Sequence, residues 1–300
     1  MMLDINTLAL TAVGLLGLGY VVVLGLMAVP PLARTAREAF PILLTETLIV
    51  GVAAGAIWWG GRVLLAALLL LALRCGYEAA RVALRRSRAN GVVPALAFGL
   101  LLAGLGAAAA WLPLWLAGGA VLAAMMAAAV LRAMAPAGYA ATLLDLAVFP
   151  GLPLVLFTAA GWQGHGAWLL LAFLLVETFD SYALLGGKLF GRRRAFPVLS
   201  PNKTVEGLAC GTVMLMLTAA LAGALLAGLP LATSALVALF CGVLAVAGDL
   251  AASRLKRAAG VKDYPAVLPL QGGLLDIADA WIATGAGLVA LLALTGGLGG

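Results

Sequence analysis

Long apolar segments alternate with short polar ones along most of the chain. A helix that crosses a bilayer needs about 20 predominantly apolar residues, and ten segments approach or reach that length. The predicted spans cover residues 8–29, 42–59, 63–77, 92–112, 114–134, 143–161, 167–187, 208–229, 231–250 and 280–298. Nine spans is the alternative, because only Gly60, Gly61 and Arg62 separate the second span from the third, and short apolar segments can be re-entrant.

The composition agrees with a membrane protein and excludes a soluble one. Hydrophobic residues make up 65% of the 300 residues, charged residues make up only 10%, and the mean hydropathy is +1.15. A soluble globular domain carries about 25% charged residues, so this chain could not cover its own surface in water. We therefore predict an all-α, polytopic transmembrane helix bundle. Residues 1–140 would supply N-terminal helices and residues 141–300 the polar motifs, as one integral unit without a soluble domain or a cleavable signal peptide.

The basic residues predict the orientation of the helices. Seventeen of the 18 Lys and Arg residues end or follow odd-numbered predicted spans, and only Arg62 lies on the other side. The positive-inside rule makes the basic side cytoplasmic, which places both termini and His165 outside. The net charge of +6 is then a topology signal and a surface for anionic lipid headgroups, and it does not indicate nucleic-acid binding. We expect an integral protein of a bacterial inner membrane whose site faces the cytoplasm.

The first long polar segment covers residues 177–207, at the end of the seventh predicted span. Glu177 and Asp180 are three residues apart, so a helix would place both carboxylates on one face near the membrane surface. Such carboxylates are costly unless they face a partner or a wet cavity. The end of the segment predicts a turn and a helix start with groups that suit a phosphate, namely Ser200, Lys203 and the N-cap candidate Thr204. The alternative is a loop that only caps a helix and contacts lipid headgroups.

The second long polar segment precedes the tenth predicted span. A continuous helix would align Asp249, Ser253 and Lys256 on one face, and Gly272 with Gly273 permits close approach of a ligand before the next helix. The carboxylates of this segment are Asp249, Asp263, Asp276 and Asp279. Carboxylates among cations predict a Mg²⁺ site that handles a polyphosphate, because Mg²⁺ uses one or two carboxylates together with substrate phosphates. The alternative is a salt-bridged helical hairpin that closes the bundle.

The second segment resembles the signature of the phosphatidate cytidylyltransferase (CDP-diacylglycerol synthase) family. The matching positions are Ser253, Leu255, Lys256, Arg257, Lys262, Asp263, Leu268, Pro269, Gly272, Gly273, Asp276 and Asp279. The first segment is similar to another block of that family, with matches at Asp180, Tyr182, Gly187, Phe190, Gly191 and residues 200–207. The similarity of motif covers the C-terminal part of the chain, and the many spans are compatible with the family over the rest.

The resemblance implies that the phosphate of a lipid, most simply phosphatidate, attacks the α-phosphorus of CTP and releases pyrophosphate. It implies Mg²⁺ as cofactor, held by Asp249 and Asp276 with Asp279 in support, while Lys256 offsets charge on the leaving pyrophosphate. The remaining positions implied to support the metal or to bind substrate are Asp180, Ser200, Lys203, Thr204, Ser253, Lys262, Gln271, Gly272 and Gly273. The implied partners are CTP, an acidic lipid and the surrounding membrane lipids, with a homodimer left open.

Four positions depart from the family pattern. Gln271 stands where the family has His, Ile277 where it has Arg, Leu270 where it has Gly, and Pro265 where it has a small residue. Glutamine cannot take a proton, and isoleucine cannot clamp a phosphate as arginine does. These departures support a second hypothesis, a catalytically weakened paralogue that binds a lipid or a partner protein. A transporter ranks last, because only Glu46 and Asp145 would lie deep in the membrane, without an obvious cationic partner.

Overall fold

The structure, a computed structural model, describes residues 4–30, 33–85, 89–267 and 272–298. These residues form eleven α-helices, one π-helical turn and one two-stranded hairpin. In chain order the elements are α1 (Ile5–Met27), α2 (Ala33–Trp59), α3 (Gly61–Ala83), α4 (Val92–Ala109), α5 (Leu114–Met134), α6 (Tyr139–Leu146), the π-turn (Ala147–Gly151), α7 (Leu152–Trp162), α8 (Gly166–Phe190), β1 (Arg194–Phe196), β2 (Ser200–Thr204), α9 (Val205–Ala227), α10 (Leu231–Ala259) and α11 (Leu274–Leu294). The all-α helix bundle predicted from the hydrophobic pattern is confirmed.

Nine helical segments within the described ranges are long and apolar enough to cross a membrane. One of them, Tyr139–Trp162, consists of α6, the π-turn and α7. Its helix is interrupted at Pro150, which lacks an N–H group, and at the extended backbone of Phe149 (φ −152°, ψ 131°). The apolar part of α2, Leu43–Trp59, is shorter than these nine segments. The chain is thus an integral membrane protein with nine candidate spans, and α2 accounts for the tenth predicted segment.

The two helices that carry Asp180 and Asp249 continue past the apolar segments that predicted them, α8 by three residues and α10 by nine. Helix α8 continues to Phe190 and α10 continues to Ala259. Polar side chains do not interrupt the backbone hydrogen bonds of a helix, and α10 ends only at Gly260, whose φ of 73° suits a left-handed C-cap. Asp180 and Asp249 are helical residues, as their place within the predicted spans indicated, and the two polar loops are shorter than the sequence predicted.

The segment between α8 and α9 forms a hairpin where the sequence predicted only a turn and a helix start. Strands β1 and β2 are antiparallel, with Arg194 opposite Thr204 and Phe196 opposite Ser200. The turn lies between these strands, at residues 197–199. The predicted N-cap is nevertheless correct, because Oγ1 of Thr204 accepts a hydrogen bond of 3.1 Å from the N–H of Gly207 in the first turn of α9.

Helix α11 lies in the centre of the bundle. The Trp281 ring packs edge-on against Phe157 of α7 and Phe173 of α8, with ring centroids 5.0 Å apart in both pairs. Helix α10 approaches α11 closely at Gly248, where a Cβ atom would lie 2.6 Å from the backbone oxygen of Asp279. Small residues permit this kind of close helix packing in membranes. The two helices that carry most of the predicted carboxylates are therefore held directly against each other.

Candidate functional site

A lysine joins the two polar segments of the sequence. The Nζ atom of Lys203, in β2, lies 2.9 Å from Oδ2 of Asp249 in α10 and 3.8 Å from Oδ1 of Asp180 in α8. The sequence predicted all three residues for the site without predicting this contact between them. The hairpin therefore brings both motif segments into one cluster.

The electrostatic surroundings keep Lys203 charged. Burial opposes its charged form, but the carboxylates of Asp249 and Asp180 outweigh burial and hold the pKa of the Lys203 ammonium above its usual range. The group is therefore a cation at neutral pH that can bind either a carboxylate or a phosphate.

A second lysine–aspartate pair lies deeper in the structure. Nζ of Lys256 is 2.5 Å from Oδ1 of Asp276, and the two side chains are only 9% and 12% exposed. The other oxygen of Asp276 accepts hydrogen bonds of 2.8 Å from the backbone N–H groups of Tyr264 and Gly273. Asp276 thus ties both ends of the loop between α10 and α11 to the start of α11.

Tyr264 packs against this lysine–aspartate pair and is not a candidate for a catalytic acid. Its ring lies 5.3 Å from Nζ of Lys256, and its hydroxyl donates a hydrogen bond of 3.3 Å to the backbone oxygen of Ala252. Burial, with Asp276 and Asp279 nearby, raises the pKa of the Tyr264 phenol well above its usual range. The phenol therefore stays neutral and acts as a packing and hydrogen-bonding group.

Asp279 lies on α11 where that helix closely approaches α10. Its side chain is buried, its Oδ1 accepts a hydrogen bond of 2.6 Å from the N–H of Ala280, and it interacts electrostatically with Asp249 and Asp276. The close approach of the two helices at Gly248 brings these carboxylates together. The three predicted metal carboxylates therefore lie within electrostatic range of one another.

The charge and the donor atoms of the cluster fit a divalent cation that arrives with a polyphosphate. Two lysines face four carboxylates, which leaves two negative charges in excess when all are ionised: Lys203 and Lys256 against Asp180, Asp249, Asp276 and Asp279. Oδ2 of Asp249 is buried without a hydrogen-bond partner, and its contact is the ion pair with Lys203. Within the described ranges no three Asp, Glu, His or Cys side chains form a metal-holding group unaided. Mg²⁺ needs only one or two carboxylates when substrate phosphates supply the remaining ligands.

Glu78, a fully buried carboxylate of α3, was not among the residues predicted for the site. Its two oxygens accept hydrogen bonds of 3.1 and 2.8 Å from the N–H groups of Leu274 and Leu275, and Nε of Arg74 lies 2.7 Å from Oε1. Glu78 therefore fixes the start of α11, directly before Asp276. The sequence did contain one signal for Glu78. It is an ionisable residue at the end of an apolar span, four residues after Arg74, and an ionisable residue is costly in a membrane unless it has a partner.

The other predicted residues are placed as follows. Ser253 is buried on α10, Ser200 is half-buried in β2, and Lys262 is exposed on the loop after α10. The space beside Gly273 is occupied by the protein itself, since a Cβ atom there would lie 2.5 Å from Oε2 of Glu78, and the Asp276 carboxylate occupies the corresponding space beside Gly272. Gln271 lies outside the described residues. The substrate-binding roles of these residues stay predictions.

The expectation that Asp145 has no cationic partner is wrong. Its Oδ1 lies 2.9 Å from a terminal nitrogen of Arg254 and 3.0 Å from Nε of Arg132. Arg254 belongs to α10 and Arg132 to α5, so both partners lie on other helices than Asp145 and could not be identified from sequence spacing. Asp145 thus links three helices beside the site, and it offers no support for a transporter.

The candidate site lies towards one end of the bundle. Asp180 and Asp249 each lie ten residues before the C-terminus of their helices, α8 and α10, which is about 15 Å along the axis at 1.5 Å per residue. Glu46 of α2 and Glu177 lie near Asp180, since their carboxylates interact electrostatically. The polar cluster therefore lies near the ends of the apolar segments of α8 and α10.

These features define an integral membrane protein with a cluster of carboxylates and lysines towards one end of its helix bundle. The model of the Cytidylyltransferase family matches residues 42–295. The chain therefore belongs to the cytidylyltransferase family, and the family indicated by its motifs is confirmed.

Three relatives show how far the similarity extends. The uncharacterized protein YnbB of Escherichia coli (strain K12) is 39% identical over 122 residues, 41% of this chain and 41% of YnbB. The phosphatidate cytidylyltransferase of Bacillus subtilis (strain 168) is 41% identical over 125 residues, 41% of this chain and 46% of that protein. Phosphatidate cytidylyltransferase 5, chloroplastic, of Arabidopsis thaliana is 36% identical over 154 residues, 50% of this chain and 37% of the relative. The chain thus matches less than half the length of each of these relatives.

Proposed function

We propose that the protein transfers CMP from CTP to the phosphate of phosphatidate, giving CDP-diacylglycerol and pyrophosphate. A lipid phosphate oxygen would bond to the α-phosphorus of CTP while the bond from that phosphorus to the bridging oxygen of the pyrophosphate breaks. The observation that carries the proposal is the cluster in which Lys203 joins Asp180 and Asp249. Family membership supports nucleotidyl transfer, and the names of the relatives support phosphatidate as the acceptor.

In this proposal the protein positions groups and neutralises charge, as enzymes of phosphoryl transfer generally do. Lys203 and Lys256 would exchange carboxylate partners for phosphate oxygens, to which they donate charge-assisted hydrogen bonds. A lipid phosphate is itself a competent nucleophile, so no general base is required. The glutamine at position 271, where the family signature has a histidine, is compatible with that chemistry.

We assign Mg²⁺ as the cofactor, held by Asp249 and Asp279 with Asp276 beside them. When bound, it would neutralise charge on the triphosphate of CTP. Asp249 offers the most available oxygen ligand for the metal. Its Oδ2 is buried and has no hydrogen-bond partner, and its contact is the ion pair with Lys203. Both oxygens of Asp276 already bind Lys256 or the loop backbone, so its main contribution would be to fix that loop.

The site would face the cytoplasm of a bacterial cell from the inner membrane. CTP is water-soluble and phosphatidate lies in the bilayer, so a site about 15 Å below the helix ends can receive the nucleotide from one side and the lipid from the other. The excess of basic residues on this side supports the orientation through the positive-inside rule.

The test is a transfer assay with purified protein in detergent, labelled CTP, Mg²⁺ and phosphatidate. We expect a labelled CDP-lipid from the wild type and none from Asp249→Asn. A folded wild type that binds phosphatidate but transfers no CMP to any acidic lipid would favour the second candidate function, a lipid-binding paralogue. The observation that favours this alternative is the apolar Ile277 beside the carboxylates.

A further inference from the structure

An apolar cavity of about 760 Å³ lies between α2, α3 and α11. Its volume falls within the range of about 300–1,000 Å³ that small-molecule sites occupy. Its walls consist almost entirely of aliphatic and aromatic side chains, and among the described lining residues only Arg74 is charged. The cavity therefore has the chemistry of a site for a hydrocarbon chain.

The charged end of the cavity is connected to the carboxylate cluster. Arg74 and Tyr77 line this end together with Val267, in the loop before α11, and Leu274, the first residue of α11. Nε of Arg74 is 2.7 Å from Glu78, whose carboxylate accepts the N–H of Leu274. A guanidinium has four further N–H donors besides Nε. An anionic group at Arg74 would therefore lie beside the start of α11, near Asp276.

Ile277 lines the cavity at the position where the family signature has an arginine. Its neighbour Asp276 belongs to the polar cluster, whereas Ile277, Ala278 and Trp281 line the apolar wall. One helix thus presents the carboxylates in one direction and the hydrocarbon site in another. In this chain the isoleucine extends the apolar wall up to the carboxylate cluster.

We propose that this cavity holds an acyl chain of the lipid substrate, an acidic glycerophospholipid whose phosphate pairs with Arg74. The proposal rests on the proposed function and adds to it the place of the lipid. Because the chain comes from a bilayer that is equally apolar, burial adds little affinity through the hydrophobic effect. The cavity acts instead by positioning the lipid, so that its phosphate lies beside the cluster that would bind CTP.

The kinetic test fills the cavity from the side far from the carboxylates. Ala53 of α2 lines the cavity and is half-buried, so Ala53→Phe adds a ring to it. We expect the KM for long-chain phosphatidate to rise about fivefold or more, which is the effect of overpacking an occupied apolar site. The KM values for CTP and for a short-chain phosphatidate should stay within about twofold of wild type, because neither ligand needs the blocked space.

The matched control is Ala123→Phe on the exposed face of α5, outside the cavity. Equal effects of both substitutions, or an equal effect of Ala53→Phe on long and short chains, would overturn the proposal. Arg74→Lys keeps a cation and should raise the KM for the lipid more than the KM for CTP. If Arg74 acted only through Glu78, Arg74→Lys and Glu78→Gln would change the KM for CTP equally, which would overturn the role of Arg74.

A labelling experiment tests the cavity independently of any CMP transfer. Phosphatidate with a photoactivatable group in mid-chain is added to the protein in phosphatidylcholine nanodiscs. We expect labelled peptides from the cavity walls in α2, α3 or α11, with labelling reduced by unlabelled phosphatidate and not by added phosphatidylcholine. Equal competition by both lipids would mean that ordinary bilayer lipid fills the cavity. Specific labelling of a protein that transfers no CMP would refute the enzyme while supporting the lipid site.

Discussion

The carboxylate of Glu78, in α3, accepts a hydrogen bond of 2.8 Å from the backbone N–H of Leu275, in the first turn of α11. The first N–H groups of a helix have no partners within that helix. A buried side chain from a distant part of the sequence supplies the partner here. Because Asp276 and Asp279 follow directly, Glu78 sets where these two carboxylates lie.

We expect Glu78→Gln to destabilise the protein and to impair transfer. The amide offers one acceptor oxygen, turns an NH₂ group towards N–H donors, and leaves Arg74 without a charged partner. The expected cost is about 1–3 kcal/mol of unfolding free energy, the cost of leaving a buried polar group unsatisfied. Thermal unfolding in detergent would measure the loss of stability, and the KM for CTP would measure the effect on transfer.

The control for this change is Asp4→Asn, since Asp4 caps the N-terminus of α1 with an exposed carboxylate. Transfer should be unchanged in the control. Wild-type unfolding and wild-type kinetics in Glu78→Gln would show that Glu78 does not position α11.

We expect Asp249→Asn and Asp276→Asn to abolish transfer alike but to differ in stability. Lys203, the partner of Asp249, is 24% exposed and also lies near Asp180, so losing one charge there is tolerated. Lys256, the partner of Asp276, is buried, and removing one member of a buried ion pair costs about 3–5 kcal/mol. A Mg²⁺ titration of the transfer rate would test the metal-binding role of Asp249. Unfolding measurements would test the role of Asp276 in fixing the loop. Near-normal turnover of Asp249→Asn at saturating Mg²⁺ would remove the metal assignment, and equal stabilities would remove the loop role of Asp276.

The raised pKa of Lys203 predicts a flat pH dependence over the neutral range. A lysine whose folded-state pKa is raised contributes stability that is fully present below its unfolded pKa and is lost as the pH rises through the folded value. The stability difference between wild type and Lys203→Gln should therefore stay constant from about pH 6 to pH 9. It should shrink only above about pH 10.4, the ordinary lysine value. If this stability difference already disappeared near pH 8, the carboxylates of Asp249 and Asp180 would not be keeping Lys203 charged.

We expect Ile277→Arg to raise the KM for phosphatidate, although it restores the residue of the family signature. The guanidinium would enter an apolar wall that already has Arg74 at one end, so it would lose hydration and take space from the acyl chain. Ile277→Leu conserves the apolar volume and serves as control. Higher activity of the arginine variant, measured in the same transfer assay, would show that the cavity accepts the cation and that the departure had only weakened the enzyme.

The orientation is testable by cysteine labelling in intact cells. An impermeant reagent should label a cysteine placed at Gly300 and leave one at Asn90 unlabelled, because the basic side is predicted to be cytoplasmic. The native Cys75 and Cys241 are buried, so the background comes mainly from the half-buried Cys210, and a Cys210→Ala parent removes it. The reverse labelling pattern would place the site away from cytoplasmic CTP.

Hydropathy predicted the helices well because each membrane-spanning helix satisfies its own backbone hydrogen bonds within one segment. It misplaced the end of α10 by nine residues, since hydropathy records where the lipid ends, whereas a helix continues until its backbone is interrupted, as at Gly260. The hairpin before α9 was missed because its pairing depends on residues around Arg194 that carried no strand pattern of their own. Thr204 was found as N-cap because capping is local.

The sequence by itself determined the membrane class, the apolar helices, and the two motif segments that indicated the cytidylyltransferase family. These properties depend on composition and on spacing within short stretches. Only the tertiary structure decided that Lys203 joins Asp249 to Asp180, that Glu78 holds the start of α11, and that Asp145 pairs with Arg132 and Arg254. Each of these contacts joins separate elements of the bundle, and helix packing, rather than sequence spacing, brings such residues together.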